Sequence, residues 1–406
     1  VNAPHIISLG CRMNIAESER MRAMLAGEQD LVVVNSCAVT GEALRQTRQA
    51  IRRARRDHPT ARLIVTGCAA EIDRAEIGAM DAVDGLVANA AKLDPRAYNA
   101  NPRAGGDLML ESGRFPPARE RATGEYTRAF IAVQNGCDHA CTFCVIPQGR
   151  GVSRSVAVIE VLREVEAHLL AGAREIVLTG VDLTSWGHDL PGEPRLGLLV
   201  GAILDAFPSL PRLRLSSVDG VEIDAALFEL IAHEQRVMPH LHLSLQHGAD
   251  LILKRMKRRH LRRDAAELVA RLKSLRPDIA VGADLIAGFP TETGAHHADN
   301  LSIIDEIGIV HAHIFPFSSR PGTPAARMPQ LPRALVKARA AELRARAAAC
   351  RQNWLGGLVG ETLCVLAERD GTGYAPNYAR VALPAAARAG ETIDITIRGT
   401  EEGLLV

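Results

Sequence analysis

Between residues 5 and 89 four short β-branched runs, HIISLG, LVVVNS, RLIVTG and DGLVAN, alternate with longer stretches of helical pattern, and this alternation constrains the fold more than any other feature. Strands and helices alternating at this spacing predict βαβ units, and hence a parallel sheet with helices on both faces. A cysteine directly follows each of the first three runs, at Gly10-Cys11, Ser36-Cys37 and Gly67-Cys68. All strand C-termini of a parallel sheet lie on one edge, so the three thiols are expected to gather at a single rim. Each taken alone reads equally well as an ordinary buried cysteine. Three in one topological position suit a soft metal or an iron–sulfur cluster.

A second α/β series follows a Gly-, Pro- and charge-rich stretch, about 99–125, that reads as a linker. TRAFIAVQ, EIVLTG, RLRLSS, HLHLSLQ, IAVGADLIAGF and VHAHIFPF are six candidate strands separated by helical segments. Six βα units without an antiparallel return predict a partial (βα)6 barrel, working at the C-terminal ends of its strands. In the fourth strand His240, His242, Ser244 and Gln246 share one face, and Leu241, Leu243 and Leu245 the other. The leucines belong under the helices, so the polar row is expected to line the lumen, as a ligand surface or as a self-satisfied polar network. An Ala/Arg-rich helix follows Arg327, with Cys350 expected on or near a packed face. After it come short strands forming a small C-terminal β-barrel, 355–406, with Cys364 expected in its core.

Composition narrows the function classes. With 406 residues and 47% hydrophobic residues the chain can bury several cores, and Lys+Arg 48 against Asp+Glu 47 leaves a net charge of +1. Nucleic-acid contact must therefore come from local basic patches, such as the seven arginines between Arg45 and Arg62 or the run from Lys254 to Arg263. Either run reads also as a merely solvated helix face. No apolar run approaches the ~18 residues of a membrane span, and VNAPHIISLGCRMN lacks the pattern of a signal peptide, so a cytoplasmic location is expected. In that compartment eight cysteines are ligands, catalytic groups or buried thiols before they are disulfides.

The segment NGCDHACTFCVIPQGRG, directly after the first strand of the second series, holds Cys137, Cys141 and Cys144 in a Cys-x3-Cys-x2-Cys spacing. Three thiolates can bind three irons of a [4Fe–4S] cube and leave the fourth open. An open coordination position marks a catalytic metal site. Zinc is the rival, with His139 as fourth ligand, although His139 sits in a tight loop between two of the thiols. Phe143 offers an aromatic face for a purine ring.

This motif, with an aromatic before its last Cys and after the first strand of a six-unit βα series, resembles the radical S-adenosylmethionine (SAM) superfamily. With GCRMNIAESE, VVVNSCAVTGEA, VTGCAAE and QNGCDHACTFCVIPQGRGVSRS, the whole chain is similar to the methylthiotransferases of that superfamily. LTGVDLTSWGHDL, LHLSLQHGADLILKRMKRRH and GADLIAGFPTET most resemble the group that methylthiolates threonylcarbamoyladenosine in tRNA. The resemblance implies a methylthiotransferase α/β domain (1–98), a radical SAM core (126–350) and an RNA-binding-like β-barrel (355–406). It implies two [4Fe–4S] clusters and SAM as cofactors. Cys137, Cys141 and Cys144 would hold the catalytic cluster that cleaves SAM to a 5′-deoxyadenosyl radical, and Cys11, Cys37 and Cys68 the auxiliary cluster that supplies sulfur. By position, Thr179 and Gly180 match the place that receives the SAM amino group, Gln246 the ribose, Arg258 the carboxylate and Phe143 the adenine. The expected partners are tRNA, at its anticodon stem-loop, and a reducing electron donor; neither membrane nor DNA is expected, and the chain is expected to be monomeric. Relatives act on isopentenyladenosine in tRNA or on a ribosomal-protein aspartate. Outside catalysis, an iron–sulfur electron carrier or RNA-binding regulator is the competing reading.

Overall fold

The computed structural model describes residues 3–99 and 127–406. The predicted linker thus lies almost wholly outside the described residues. Strands β1 (His5–Ser8), β2 (Leu31–Ser36), β3 (Arg62–Gly67) and β4 (Gly85–Leu86) form one parallel sheet in that order. Its residues alternate between two apolar layers, as a strand's period of two requires. Leu31 and Val33 pack with Met21 of α1 (Arg12–Met24) and with Tyr98. Val32 and Val34 pack with Leu44, Ile51 and Ala54 of α2 (Gly41–Asp57). Helices therefore cover both faces, which explains why β2 reads as an unbroken apolar run.

Helix α2 buries Leu44, Thr47, Ile51 and Ala54 on one stripe and turns its arginines outward. Its N-cap is Thr40, whose hydroxyl accepts from the Ala43 amide at 3.1 Å. This cap fixes where the chain leaves the Cys37 turn. Thr40→Ala is expected to lower stability by about 1 kcal/mol in urea denaturation, with faster amide exchange confined to the first turn of α2.

All six strands predicted for the second series are present. β5 (Arg128–Ala132) pairs in parallel with Glu175–Thr179, and that strand with Arg212–Leu215. Ser217–Val218, His240–Gln246, Ala280–Ala287 and Ile309–Pro316 form a second parallel sheet. The chain steps from one sheet to the other at Ser216, so the six units succeed one another in sequence order. Leu241, Leu243 and Leu245 join an apolar core with Leu272, Ile303 and Ile304 of the covering helices. The polar row lies on their other side: His242 meets Asp284 at 3.1 Å, and His240 is buried 4.9 Å from the Tyr378 ring.

The helix Arg333–Gly356 leads to a six-stranded, mainly antiparallel sheet built from residues 362–405. Its short members Thr372–Tyr374 and Thr400–Glu401 carry no sequence signal of their own. Cys350 lies half-buried against the main core, as expected. Cys364 does not: it is exposed. Its neighbours Leu363 and Val365 point into the small core, and the strand's alternation puts the residue between them outside. No helix among the described residues is long and apolar enough to cross a membrane.

Candidate metal and cofactor centre

The ends of β1, β2 and β3 put Cys11, Cys37 and Cys68 on one edge of the parallel sheet. Cys11 is the N-cap of α1, and Cys68 opens the short helix α3 (Cys68–Ile72). Gly67, before Cys68, has φ +89°, and a Cβ there would lie 2.5 Å from the Ser36 carbonyl oxygen. Only glycine turns the strand into α3 at that point. A Cβ on Gly10 would lie 2.8 Å from Cys37 Sγ, which places the first two cysteine turns in contact. Burial pushes the Cys37 thiol up to about 11, and the neighbouring thiols of Cys68 and Cys11 add to the shift. Free, this thiol is neutral at physiological pH; as a metal ligand it is a thiolate.

Cys137, Cys141 and Cys144 lie on the loop after β5. Gly136, with φ +76°, passes so close to the Val152 carbonyl that a Cβ would overlap it, at 1.9 Å. The loop is tied at its base by the antiparallel pair of Gln134–Asn135 with Arg154–Ser155, and by Cys137 N–H donating to Gly151 O at 3.1 Å. Thr142 fastens its tip through a hydroxyl bond to Arg255 O at 2.8 Å. Burial pushes the Cys137 thiol up to about 12 and Cys144 to about 11. Three half-buried thiols on one pinned loop are the donor set of a soft metal or cluster. His139 Nε2 lies 2.6 Å from Asp182 Oδ2, and hydrogen bonds to Asp182 and Glu222 raise its pKa to about 10. Cys137, His139 and Asp182 stand close enough together to hold a metal ion, so zinc keeps a geometric basis here.

Of the residues expected around SAM, Phe143 lies on this loop, and Arg258 stands beside it with Nη1 3.7 Å from Cys141 Sγ, while its Nη2 donates to Asp219 Oδ2 and Ser244 O, both at 2.8 Å. Gln246 ends the same strand as Ser244, in a left-handed conformation with φ +69°. Thr179 is buried, and its carbonyl accepts from Val133 N at 2.9 Å, while Gly180 packs against the Gln134 side chain. Phe143 is half-buried with its ring edge-on to Phe289, at 6.5 Å between centroids.

Sequence reasoning missed two polar groups. Asp182, Asp219 and Glu222 ring the loop and hold His139, Arg258 and Arg259. Asn14, Glu17, Lys92 and Arg150 form a buried cluster beneath the N-terminal thiols. Arg150 directly follows the cysteine motif in IPQGRG, and that adjacency was the available signal. The basic runs divide: Arg45, Arg48, Arg55 and Arg62 pair with acids. Among the described residues Arg52, Arg53 and Arg56 show no such pairing, and with Gln49 they line a shallow surface cavity.

Two family models match the two segments that carry these cysteines. Residues 131–302 match the Radical SAM superfamily, and residues 4–88 match the Uncharacterized protein family UPF0004. The chain is 41% identical to the threonylcarbamoyladenosine tRNA methylthiotransferase MtaB of Rickettsia prowazekii, over 98% of this chain and 96% of that protein. It is 34% identical to the tRNA-2-methylthio-N(6)-dimethylallyladenosine synthase of Novosphingobium aromaticivorans, over 90% and 86% of the two chains. The radical SAM methyltransferase TsrM of Kitasatospora setae, solved with cobalamin and a [4Fe–4S] cluster, shares the fold at TM-score 0.52 and 17% identity, over 77% of this chain and 68% of that one. Near-full-length identity to methylthiotransferases, joined to a three-cysteine loop on a radical SAM scaffold, places the chain in the radical SAM methylthiotransferase family.

Proposed function

We propose that this methylthiotransferase modifies C2 of N6-threonylcarbamoyladenosine beside the tRNA anticodon. The observation that carries this choice is the 41% identity, over nearly both whole chains, to a relative named for that nucleoside. Dimethylallyladenosine is the second reading, supported by the 34% identity to a synthase of its methylthio derivative. As a radical SAM protein the chain uses SAM and a [4Fe–4S] cluster. On our reading Cys137, Cys141 and Cys144 hold that cluster, and Cys11, Cys37 and Cys68 hold a second. When bound, the two supply reductive cleavage of the SAM sulfonium and the sulfur to be transferred.

The chain's own residues position and shield. Arg258 sets a positive charge beside Cys141, held in place by Asp219. The ion-paired ring of His139, Asp182, Glu222 and Arg259 holds the cysteine loop on its outer side. Gln246, Thr179, Gly180 and Phe143 are assigned to the SAM contacts. Residues 126–350 form the radical SAM core, and 355–406 with the unpaired arginines of α2 face the RNA. A low-potential electron donor completes the partners.

Nucleoside mass spectrometry of tRNA from a strain lacking the gene tests the substrate. The expected result is loss of methylthio-threonylcarbamoyladenosine and its return on complementation. Persistence of that nucleoside with loss of the methylthio-dimethylallyl form moves the assignment to the second reading.

A further inference from the structure

Beneath the N-terminal thiols lies a buried cluster whose charges do not cancel. Glu17 of α1, Lys92 and Arg150 are 3%, 2% and 7% exposed. Lys92 Nζ donates to Glu17 Oε2 at 2.5 Å, and Arg150 Nη1 donates to Glu17 Oε1 at 2.9 Å. Arg150 Nη2 donates to Glu17 Oε2 as well, at 3.1 Å, and the remaining Arg150 bonds go to neutral amides, Asn135 Oδ1 at 2.9 Å and Asn14 Oδ1 at 2.6 Å. Two basic side chains against one carboxylate leave an excess of positive charge where water cannot solvate it, and that burial lowers the Lys92 pKa. Such a charge calls for an anion close by.

The cysteine turns are what stands close by. Asn14 Nδ2 donates to Leu9 O at 2.6 Å and Ser36 O at 3.0 Å, the carbonyls just upstream of Gly10-Cys11 and of Cys37. A Cβ on Gly149, the residue before Arg150, would lie 3.5 Å from Cys68 Cβ. The guanidinium of Arg150 acts electrostatically on all three thiols, and Lys92 on Cys68. Glu71 of α3 stands at the half-buried rim, accepting from Asn89 N at 2.6 Å, where solvent screens it. Three thiolates around an oxidised four-iron cube of charge two carry one net negative charge and match the surplus.

We infer that Glu17, Lys92 and Arg150 are a built-in counter-charge for an iron–sulfur group held by Cys11, Cys37 and Cys68, and that they set its reduction potential. The inference rests on the proposed reading of those cysteines as a cluster site. Reduction adds one electron and one negative charge to the group, so the surplus positive charge favours the reduced state. Glu17, Lys92 and Arg150 are positioning residues here, since none touches substrate.

The test uses the full chain with Cys137, Cys141 and Cys144 replaced by alanine, reconstituted with iron and sulfide, and titrated with dithionite under EPR. Lys92→Met removes a cation and is expected to shift the equilibrium at least tenfold toward the oxidised state, about 59 mV for one electron. Glu17→Gln removes the anion and is expected to shift it the other way. Lys92→Arg keeps the charge and is expected to keep the potential. Each variant is read separately, so one that fails to fold leaves the sign to the other. Unchanged potentials, or shifts of the same sign in Lys92→Met and Glu17→Gln, overturn the inference while the cluster reading stands. If the parent binds no iron, the cluster reading itself fails, and the inference with it.

Discussion

Cys37→Ala is expected to abolish methylthiolation while leaving SAM cleavage intact, and Cys137→Ala to abolish both. The two thiol sets come from separate sheets, one on the edge of β1–β3 and one on the loop after β5, so one can be damaged without unfolding the other. Cys37 is 8% exposed and in contact with the Gly10 turn, so its loss removes one of three donors from the inner side of the rim. A cube with two protein ligands is poorly held. In an anaerobic reaction with dithionite and tRNA, Cys37→Ala should still release 5′-deoxyadenosine, at wild-type order of magnitude. Its methylthio product should fall at least a hundredfold, and its iron content by about half. Cys350→Ala and Cys364→Ala serve as controls with full product, since one thiol packs against the core and the other is exposed. Product at normal yield from Cys37→Ala would sink the two-cluster reading. A chain that released no 5′-deoxyadenosine with its clusters verified would instead be a carrier or a regulator.

What the sequence makes legible follows from the range over which each signal acts. β2 and β3 are found at the predicted residues because LVVVNS and RLIVTG are buried on both faces, and nothing but a central parallel strand tolerates that. The gathering of three cysteines from remote positions is legible because topology alone dictates it. The partners of those cysteines are not. Lys92 lies 75 residues from Glu17, and Arg150 lies 133 from it, so the buried ion cluster exists only once both sheets are folded against each other. The ring of Asp182, Asp219 and Glu222 likewise comes from two βα turns, one after Glu175–Thr179 and one after Ser217–Val218, each unremarkable by itself. Cys364 is misplaced because apolar character was read without register. In a strand of six residues a shift of one position exchanges inside for outside.

Glu175→Gln is expected to destabilise the chain by about 3–5 kcal/mol, the cost of leaving a buried cation without its partner. Glu175 starts the second strand of the core and is fully buried, and its carboxylate accepts from Arg214 Nε at 2.8 Å and Nη2 at 3.1 Å. Arg212 stands 3.9 Å away. These arginines also reach across to the C-terminal sheet: Arg212 donates to Tyr374 O at 3.0 Å and Arg214 to Pro376 O at 3.0 Å. One carboxylate thus anchors two cations that hold the second body of the protein. Burial opposes its ionisation, yet Arg214, Arg128 and Arg212 hold its pKa below the ordinary value of 4.5. The stability it contributes is therefore fully present above about 4.5 and is lost as pH falls through the lowered value. The amide of the Glu175→Gln variant has no such titration, so its urea midpoint should fall at neutral pH and approach the wild-type value in acid. Amide exchange should rise first in Thr372–Tyr374, whose carbonyl Arg212 holds. A loss below about 1 kcal/mol at neutral pH would mean that the arginines find other acceptors, and that the C-terminal sheet is held by its other contacts, such as Arg128 Nε with Glu368 Oε1 at 2.7 Å.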